Sequence, residues 1–311
     1  MNDHSRAVAA ASVTVVLWAS AFVSIRSAGA HLAPGALAFG RLTVASLALG
    51  AVWLISDRRW PARAAWPGIL GSGLLWFGLY MVTLNWGERD VDAGTAAMLV
   101  NIGPVLIALL GGWLLREGFP RRLAAGMAVS FAGAVVVGAS ESGGGHASVA
   151  GVALCLAAAV CYAAGVVLQK PALRHASAIQ VTTFGCLVGT AACLPFAGQF
   201  ASQISQVPPV VTLNVVYLGL FPTTLGFVTW AYALARTASG KMGATTYAVP
   251  GFVIVMSWLI LGQVPRWLTI VGGILCLAGV AVSRSGATAG KIVRQKAQPK
   301  VPTAASESRR S

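Results

Sequence analysis

Arg41 is the one charged side chain that falls inside a long apolar stretch, within "FGRL" between Ala33 and Ser56. A guanidinium held away from water needs a partner. It could grip a substrate carboxylate, reach toward the surface, or cap the carbonyls of a neighbouring helix. Asn101 stands one turn before Pro104, and Tyr247 holds the matching place before Pro250. A polar group at such depth either binds a ligand or bonds to another helix, because leaving it unmet in hydrocarbon is costly. Trp18, Trp76, Tyr80 and Tyr162 are deep aromatics, and Trp76 and Tyr80 share one helix face. They either line a cavity suited to an organic molecule or fill helix contacts. The candidate substrate-binding set is therefore Trp18, Arg41, Trp76, Tyr80, Asn101, Tyr162 and Tyr247.

Pro104 and Pro250 are candidate hinges. Each is expected near the middle of its stretch, removing one backbone donor and crowding the carbonyl of Val100 or Thr246. Such a freed carbonyl receives a substrate group or marks a packing kink. Catalysis finds no support: the apolar stretches hold no nucleophile with a base and no paired carboxylates. His4, His31, His146 and His175 fall in tails or loops, while Cys155, Cys161, Cys186, Cys193 and Cys276 are scattered through apolar stretches without metal-ligand spacing. No enzyme, metal or cofactor is expected.

The elements that must position these residues follow from composition. The 311 residues are 57% hydrophobic and 10% charged, with a mean hydropathy of +0.76. Runs long enough to cross a hydrocarbon core recur near 7–26, 33–56, 64–86, 93–115, 123–140, 148–169, 176–196, 210–235, 242–262 and 267–283. The first could pass for a signal peptide, but nine more follow it, so it is read as a retained span. The expected class is an all-α polytopic membrane protein with ten transmembrane helices. Trp66, Trp86, Trp113 and Trp267 near span ends read as an interfacial belt.

Charge sets the orientation. With both termini in the cytoplasm, 18 of the 22 Lys and Arg fall on the inner side, against only Arg26, Arg89 and Arg266 outside. Localisation in the inner (plasma) membrane fits this bias. The net charge of +14 is spread over separate loops and a basic tail, so it explains topology and gives no nucleic-acid face. Glu117, beside Arg116, Arg121 and Arg122, is read as part of a loop salt-bridge cluster, with a gate latch as the alternative.

A repeat organises the whole. "NIGPVLIALLGGWLLRE", ending at Glu117, is echoed by "YAVPGFVIVMSWLILGQ", ending at Gln263. Pro104 and Pro250, Gly126 and Gly272, and Gly133 and Gly279 are all 146 residues apart. Five spans per copy is an odd number, so the second copy must be inserted upside down, as in many secondary transporters. The division is a first five-helix repeat over 7–140, a Gly-rich linker over 141–147, a second inverted repeat over 148–284, and a disordered basic cytoplasmic tail over 285–311.

The run "AGTAAMLVNIGPVLIALLGGWLLREGFPRRLAAGMAVSFAGAVVV", Ala93 to Val137, resembles the second part of an EamA domain of the drug/metabolite transporter superfamily, and "LWASAFVSIR" with "FGRL" resembles the first part. Three departures stand out: Arg116 replaces the usual Gly, Gln263 stands where Glu is frequent, and Cys186 in "FGCL" matches Arg41 in the other half. The resemblance implies ten helices, no cofactor, and efflux of small metabolites such as amino acids. Other readings are a multidrug, nucleotide-precursor or sugar-type permease, or a structural membrane protein without transport. The partners implied are a small-molecule substrate and the lipid bilayer, and a monomer would suffice. The acids all fall at span ends, in loops or in tails, so transport is expected to run down the substrate gradient without a buried proton carrier, Glu88 being the exception to watch.

Overall fold

Lipid offers no partner for backbone N–H and C=O groups, so a chain this apolar must close its hydrogen bonds along itself. The computed structural model describes residues 3–56, 58–90, 99–141, 148–261 and 267–284, and every regular element among them is helical. The first half holds α1 (Asp3–Gly29), α2 (Pro34–Ser56), α3 (Trp66–Ser72), a π-helical segment π1 (Gly73–Leu79), α4 (Tyr80–Asp90), α5 (Gly103–Leu114) and α6 (Arg121–Glu141). The second holds α7 (Val149–Ala172), α8 (Ala178–Ala192), α9 (Ala197–Ile204), α10 (Pro209–Leu218), π2 (Gly219–Leu225), α11 (Gly226–Arg236), α12 (Ser239–Thr245), α13 (Ala248–Leu261) and α14 (Trp267–Arg284).

Four of the expected spans stand as continuous rods long and apolar enough to cross a bilayer: Pro34–Ser56, Arg63–Gly87, Val149–Ala172 and Pro209–Arg236. The span drawn over 176–196 is a bent pair instead. α8 stops before Pro195, and the chain turns by 54° into α9. The span drawn over 242–262 is broken between α12 and α13, and the one over 93–115 is described only from residue 99. The linker at 142–147, Gln263, the tail from 285 and the Glu88 side chain lie outside the described residues.

Both π segments fall at the same repeat offset, Gly73–Leu79 and Gly219–Leu225 being 146 residues apart. Each opens on a glycine pressed against the other half. A methyl on Gly73 would lie 2.9 Å from the Gly185 carbonyl oxygen of α8, and one on Gly219 would lie 2.9 Å from the Arg41 carbonyl oxygen of α2. A wide helical turn of this kind loosens the regular backbone ladder, and it recurs at functional sites.

α6 and α14 form a seam of two backbones in close approach. A methyl on Gly126 would lie 2.5 Å from the Ser283 amide nitrogen, and one on Gly133 would lie 2.6 Å from the Gly272 carbonyl oxygen. Contacts recede along α14 as they advance along α6, so the two helices run antiparallel. Small residues drive such packing in lipid, where apolar burial gives no net reward. Ser130 donates to the Cys276 carbonyl at 3.0 Å, and the Cys276 thiol points back at the Ser130 carbonyl at 3.5 Å.

Candidate functional site

The deep aromatics come together where the two rods that carry π segments, Arg63–Gly87 and Pro209–Arg236, meet α1 and α7. Trp18 lies edge-on to Trp76 with ring centroids 5.9 Å apart, Trp76 lies 5.4 Å from Tyr162, and Tyr80 lies 5.8 Å from Tyr162. Two residues absent from the expected set complete the layer: Trp230 stacks on Trp18 at 5.0 Å, and Phe227 lies 4.8 Å from Trp76. Trp76, Tyr162, Phe227 and Trp230 are buried, while Trp18 and Tyr80 are partly buried. In this state the rings fill helix contacts. Each pair of this kind adds about 0.5–1.5 kcal/mol beyond the apolar area it buries.

Position on the π segments explains how the layer is held. The Trp18 indole donates to the Pro222 carbonyl inside π2 at 3.2 Å, and the Thr223 hydroxyl closes onto the Leu218 carbonyl at 2.7 Å. Arg41, only 7% exposed, donates to that same Thr223 hydroxyl from Nε at 3.1 Å and from Nη2 at 2.9 Å. At this burial the arginine does not snorkel, and among the described residues its hydrogen bonds go to this hydroxyl and not to a carbonyl. It ties α2 of the first half to the π segment of the second, with Tyr80 and Cys186 in electrostatic range.

The prolines require a correction. Pro104 stands in the first turn of α5, after a turn at Asn101 and Ile102, and α13 begins at Ala248, just ahead of Pro250, whose side chain lies outside the description. Neither interrupts a continuous helix. The first turn of a helix has spare N–H groups, so proline costs little there. Asn101 contributes through its backbone: its carbonyl, at the break, accepts the Tyr247 hydroxyl at 2.9 Å. These two residues are 146 apart, so each break in one half is tied to its counterpart in the other.

Glu117 also differs from expectation. Arg116 adopts a left-handed backbone (φ 55°) and Gly118 follows (φ 75°), which turns the carboxylate inward, away from a loop cluster of arginines. One oxygen accepts the Ser239 amide and hydroxyl, each at 2.6 Å, and the other pairs with Lys170 at 3.8 Å. Ser239 opens α12, so the acid sits on spare N–H groups at a helix start, where negative charge is favoured. Lys170 in turn donates to the Leu234 and Thr237 carbonyls at the end of α11. Both charged side chains are mostly buried. The result is a latch that draws the ends of α5, α7, α11 and α12 together. The sequence signal for it was the acid that ends the first of the two echoed stretches, but its partner Lys170 carried none.

Several buried polar atoms find no hydrogen-bond partner among the described residues: both ends of the Gln169 amide, the Thr183 hydroxyl, the Trp230 indole N–H and the Thr224 hydroxyl. The Tyr162 hydroxyl faces Thr246, whose own proton is given to the Gly243 carbonyl at 2.7 Å. No group of three or more His, Cys, Asp or Glu that could hold a metal occurs among the described residues.

Apolar rods, helices broken at paired positions and a polar interior closed by buried charge define a multi-pass helical membrane protein. The model of the EamA-like transporter family matches residues 5–139 and again residues 149–285, and the chain belongs to that family. It is 39% identical over 278 residues to a Streptantibioticus cattleyicolor protein named "Probable terminal-alkyne amino-acid exporter", covering 89% of this chain and 92% of that one. It is 24% identical over 286 residues to a Salmonella typhimurium "Probable amino-acid metabolite efflux pump", covering 89% and 94% of the two chains. A crystal structure of a protein 22% identical in sequence superposes with a TM-score of 0.76 over 94% of this chain and 99% of that one, a likeness of fold.

Proposed function

We propose that the protein is a secondary transporter that exports amino acids or related small metabolites across the cytoplasmic membrane by alternating access. It is built from ten spans in two inverted halves, with both termini in the cytoplasm. The observation that carries this reading is contact between equivalent residues: Ser130 meets Cys276, and Asn101 meets Tyr247, each pair 146 apart. A residue touches its own equivalent only beside the axis that relates the two copies. The opposite directions of α6 and α14 fit an axis in the membrane plane. The two family matches, one on each side of the linker, support the same division.

The named role of the Streptantibioticus cattleyicolor relative supports an amino acid as cargo. In this reading the layer of Trp18, Trp76, Tyr80 and Tyr162, with Arg41, Asn101 and Tyr247 around it, takes the organic part of the solute, and the breaks ahead of Pro104 and Pro250 are the hinges. The latch on Glu117 and Lys170 closes the cytoplasmic mouth. Transport runs down the substrate gradient.

The test is uptake of labelled amino acids, propargylglycine among them, into inside-out membrane vesicles that contain the protein. Accumulation above vesicles without it, at a rate that saturates, is the expected result. Uptake equal to the control for every amino acid in the panel would overturn the cargo assignment.

A further inference from the structure

Arg41 is buried, and no carboxylate among the described residues pairs with it; the ion pair found there joins Glu117 to Lys170. The groups that act on its charge are the Tyr80 phenol and the Cys186 thiol, both ordinarily neutral near pH 7. A guanidinium keeps its proton at that pH, so among the described residues the interior holds a positive charge without a counter-ion. Such a charge is costly until something negative meets it.

The hydrogen bonds show which part of the guanidinium is already spent. Nε and Nη2 both donate to the Thr223 hydroxyl, at 3.1 and 2.9 Å. That oxygen accepts them because its own proton goes to the Leu218 carbonyl at 2.7 Å. It therefore occupies the side edge of the planar fork and fixes the plane of the group. The end edge, Nη1 with the second N–H of Nη2, points away from Thr223. Nη1 makes no hydrogen bond among the described residues, and it is not one of the sealed polar atoms without a partner, so it borders accessible space. Two parallel N–H groups on a fixed plane match the two oxygens of one carboxylate.

The surroundings identify what such a carboxylate is attached to. Thr223 follows Pro222, whose carbonyl accepts the Trp18 indole at 3.2 Å, and Tyr80, in electrostatic range of Arg41, lies 5.8 Å from Tyr162 between ring centroids. Arg41 thus stands at the border of the aromatic layer. The matching place in the second half holds Cys186, so the two equivalents supply a single positive charge.

We propose that the end edge of Arg41 is the carboxylate anchor for the transported amino acid, with Thr223 as the positioning residue that aims it and the aromatic layer against the organic part of the solute. The proposal deepens the exporter reading and rests on it, since it names the charge on the cargo that the protein reads.

The test uses the full-length protein in proteoliposomes, with labelled propargylglycine as the transported probe and unlabelled propargylglycine or its methyl ester as competitor. In the wild type the free acid competes roughly ten-fold better than the ester or more, the loss of one charge-assisted contact. In detergent the acid raises the Tm of the wild type and the ester does not. Arg41→Met keeps the length of the side chain without its charge, and neither compound raises its Tm. Arg41→Lys keeps the charge without the fork, and retains the preference for the acid with a higher KM. Thr223→Val raises the KM for the acid with kcat little changed, and Thr223→Ser restores it. Wild-type uptake that acid and ester block equally would overturn the anchor without any substitution, an arm that stands even where a variant fails to fold. A folded Arg41→Met that keeps the wild-type preference would overturn it as well, leaving the arginine only its tie between α2 and π2. Wild-type proteoliposomes that take up no amino acid would overturn the exporter reading itself, an outcome distinct from a working transporter that ignores the carboxyl group.

Discussion

Two of the places where the two halves meet follow opposite rules. Along the α6–α14 seam, glycines bring backbones into contact, Ser130 and Cys276 satisfy each other reciprocally, and an added methyl at Gly126 or Gly133 would meet the facing backbone. At the latch, long flexible chains carry the contact: Glu117 and Lys170 hold the ends of four helices through charge and hydrogen bonds. Steric contact of the first kind is lost abruptly when geometry changes, whereas the second can break and re-form through side-chain rotation. In the proposed alternating-access cycle the first would serve as a fixed axis and the second as a releasable end.

The comparison can be broken most severely at the seam. Gly133→Leu places a bulky side chain where even a methyl would lie 2.6 Å from the Gly272 carbonyl and the Cys276 amide. Overpacking of this kind costs about 3 kcal/mol or more. The expected outcome is loss of the monodisperse folded peak in size-exclusion chromatography, while the same change at Gly29, where nothing lies within 4 Å of an added methyl, leaves the peak intact.

Next in size is Thr223→Val, which leaves the buried Arg41 guanidinium without the hydroxyl it shares and reopens the Leu218 carbonyl. A hydrogen bond to a charged group is worth about 2 kcal/mol, and the change lowers the thermal midpoint in detergent accordingly. Glu117→Gln keeps the shape of the latch but removes its ion pair with Lys170 and weakens the bonds to Ser239. We expect about 1 kcal/mol less stability for the end closed by this contact, read as faster labelling of a cysteine introduced at Gln169 by a reagent added on the side that the proposed topology makes cytoplasmic. The smallest effect is Arg116→Gly. It relieves a left-handed backbone that costs about 1–2 kcal/mol for a side chain, but it loosens the unfolded chain by up to about 1 kcal/mol. A net gain of about 0.5 kcal/mol follows, seen as a slightly higher thermal midpoint with the latch unchanged.

Much of this was legible in the sequence, for identifiable reasons. Hydrophobic length located the rods, and one offset of 146 residues aligned Gly126 with Gly272 and Gly133 with Gly279, all four of which pack in the α6–α14 seam. The deep aromatics Trp18, Trp76, Tyr80 and Tyr162 came together as a group because depth along a helix can be counted. What the sequence hid is what depends on backbone irregularity or on distant partners. The π segments shift the register of Trp76 and Thr223, marked by Pro222 in the second but by no proline in the first, and the break after Thr245 moves Pro250 from a helix middle to a helix start. Gln169 and Lys170 read as a polar span end, and only the approach of α11 and α12 turns them inward. Arg116 carried a usable hint, since the resemblance puts glycine there and the backbone is left-handed.

The most direct measurement compares two disulfide cross-links in an otherwise cysteine-free transporter reconstituted in proteoliposomes. One joins Ser130→Cys to the native Cys276 across the seam, and the other joins Glu117→Cys to Ser239→Cys across the latch. Oxidation is predicted to leave amino-acid transport intact in the seam variant and to abolish it in the latch variant, with full recovery on reduction. Transport that continues through a closed latch cross-link, or stops when only the seam is joined, would contradict the account.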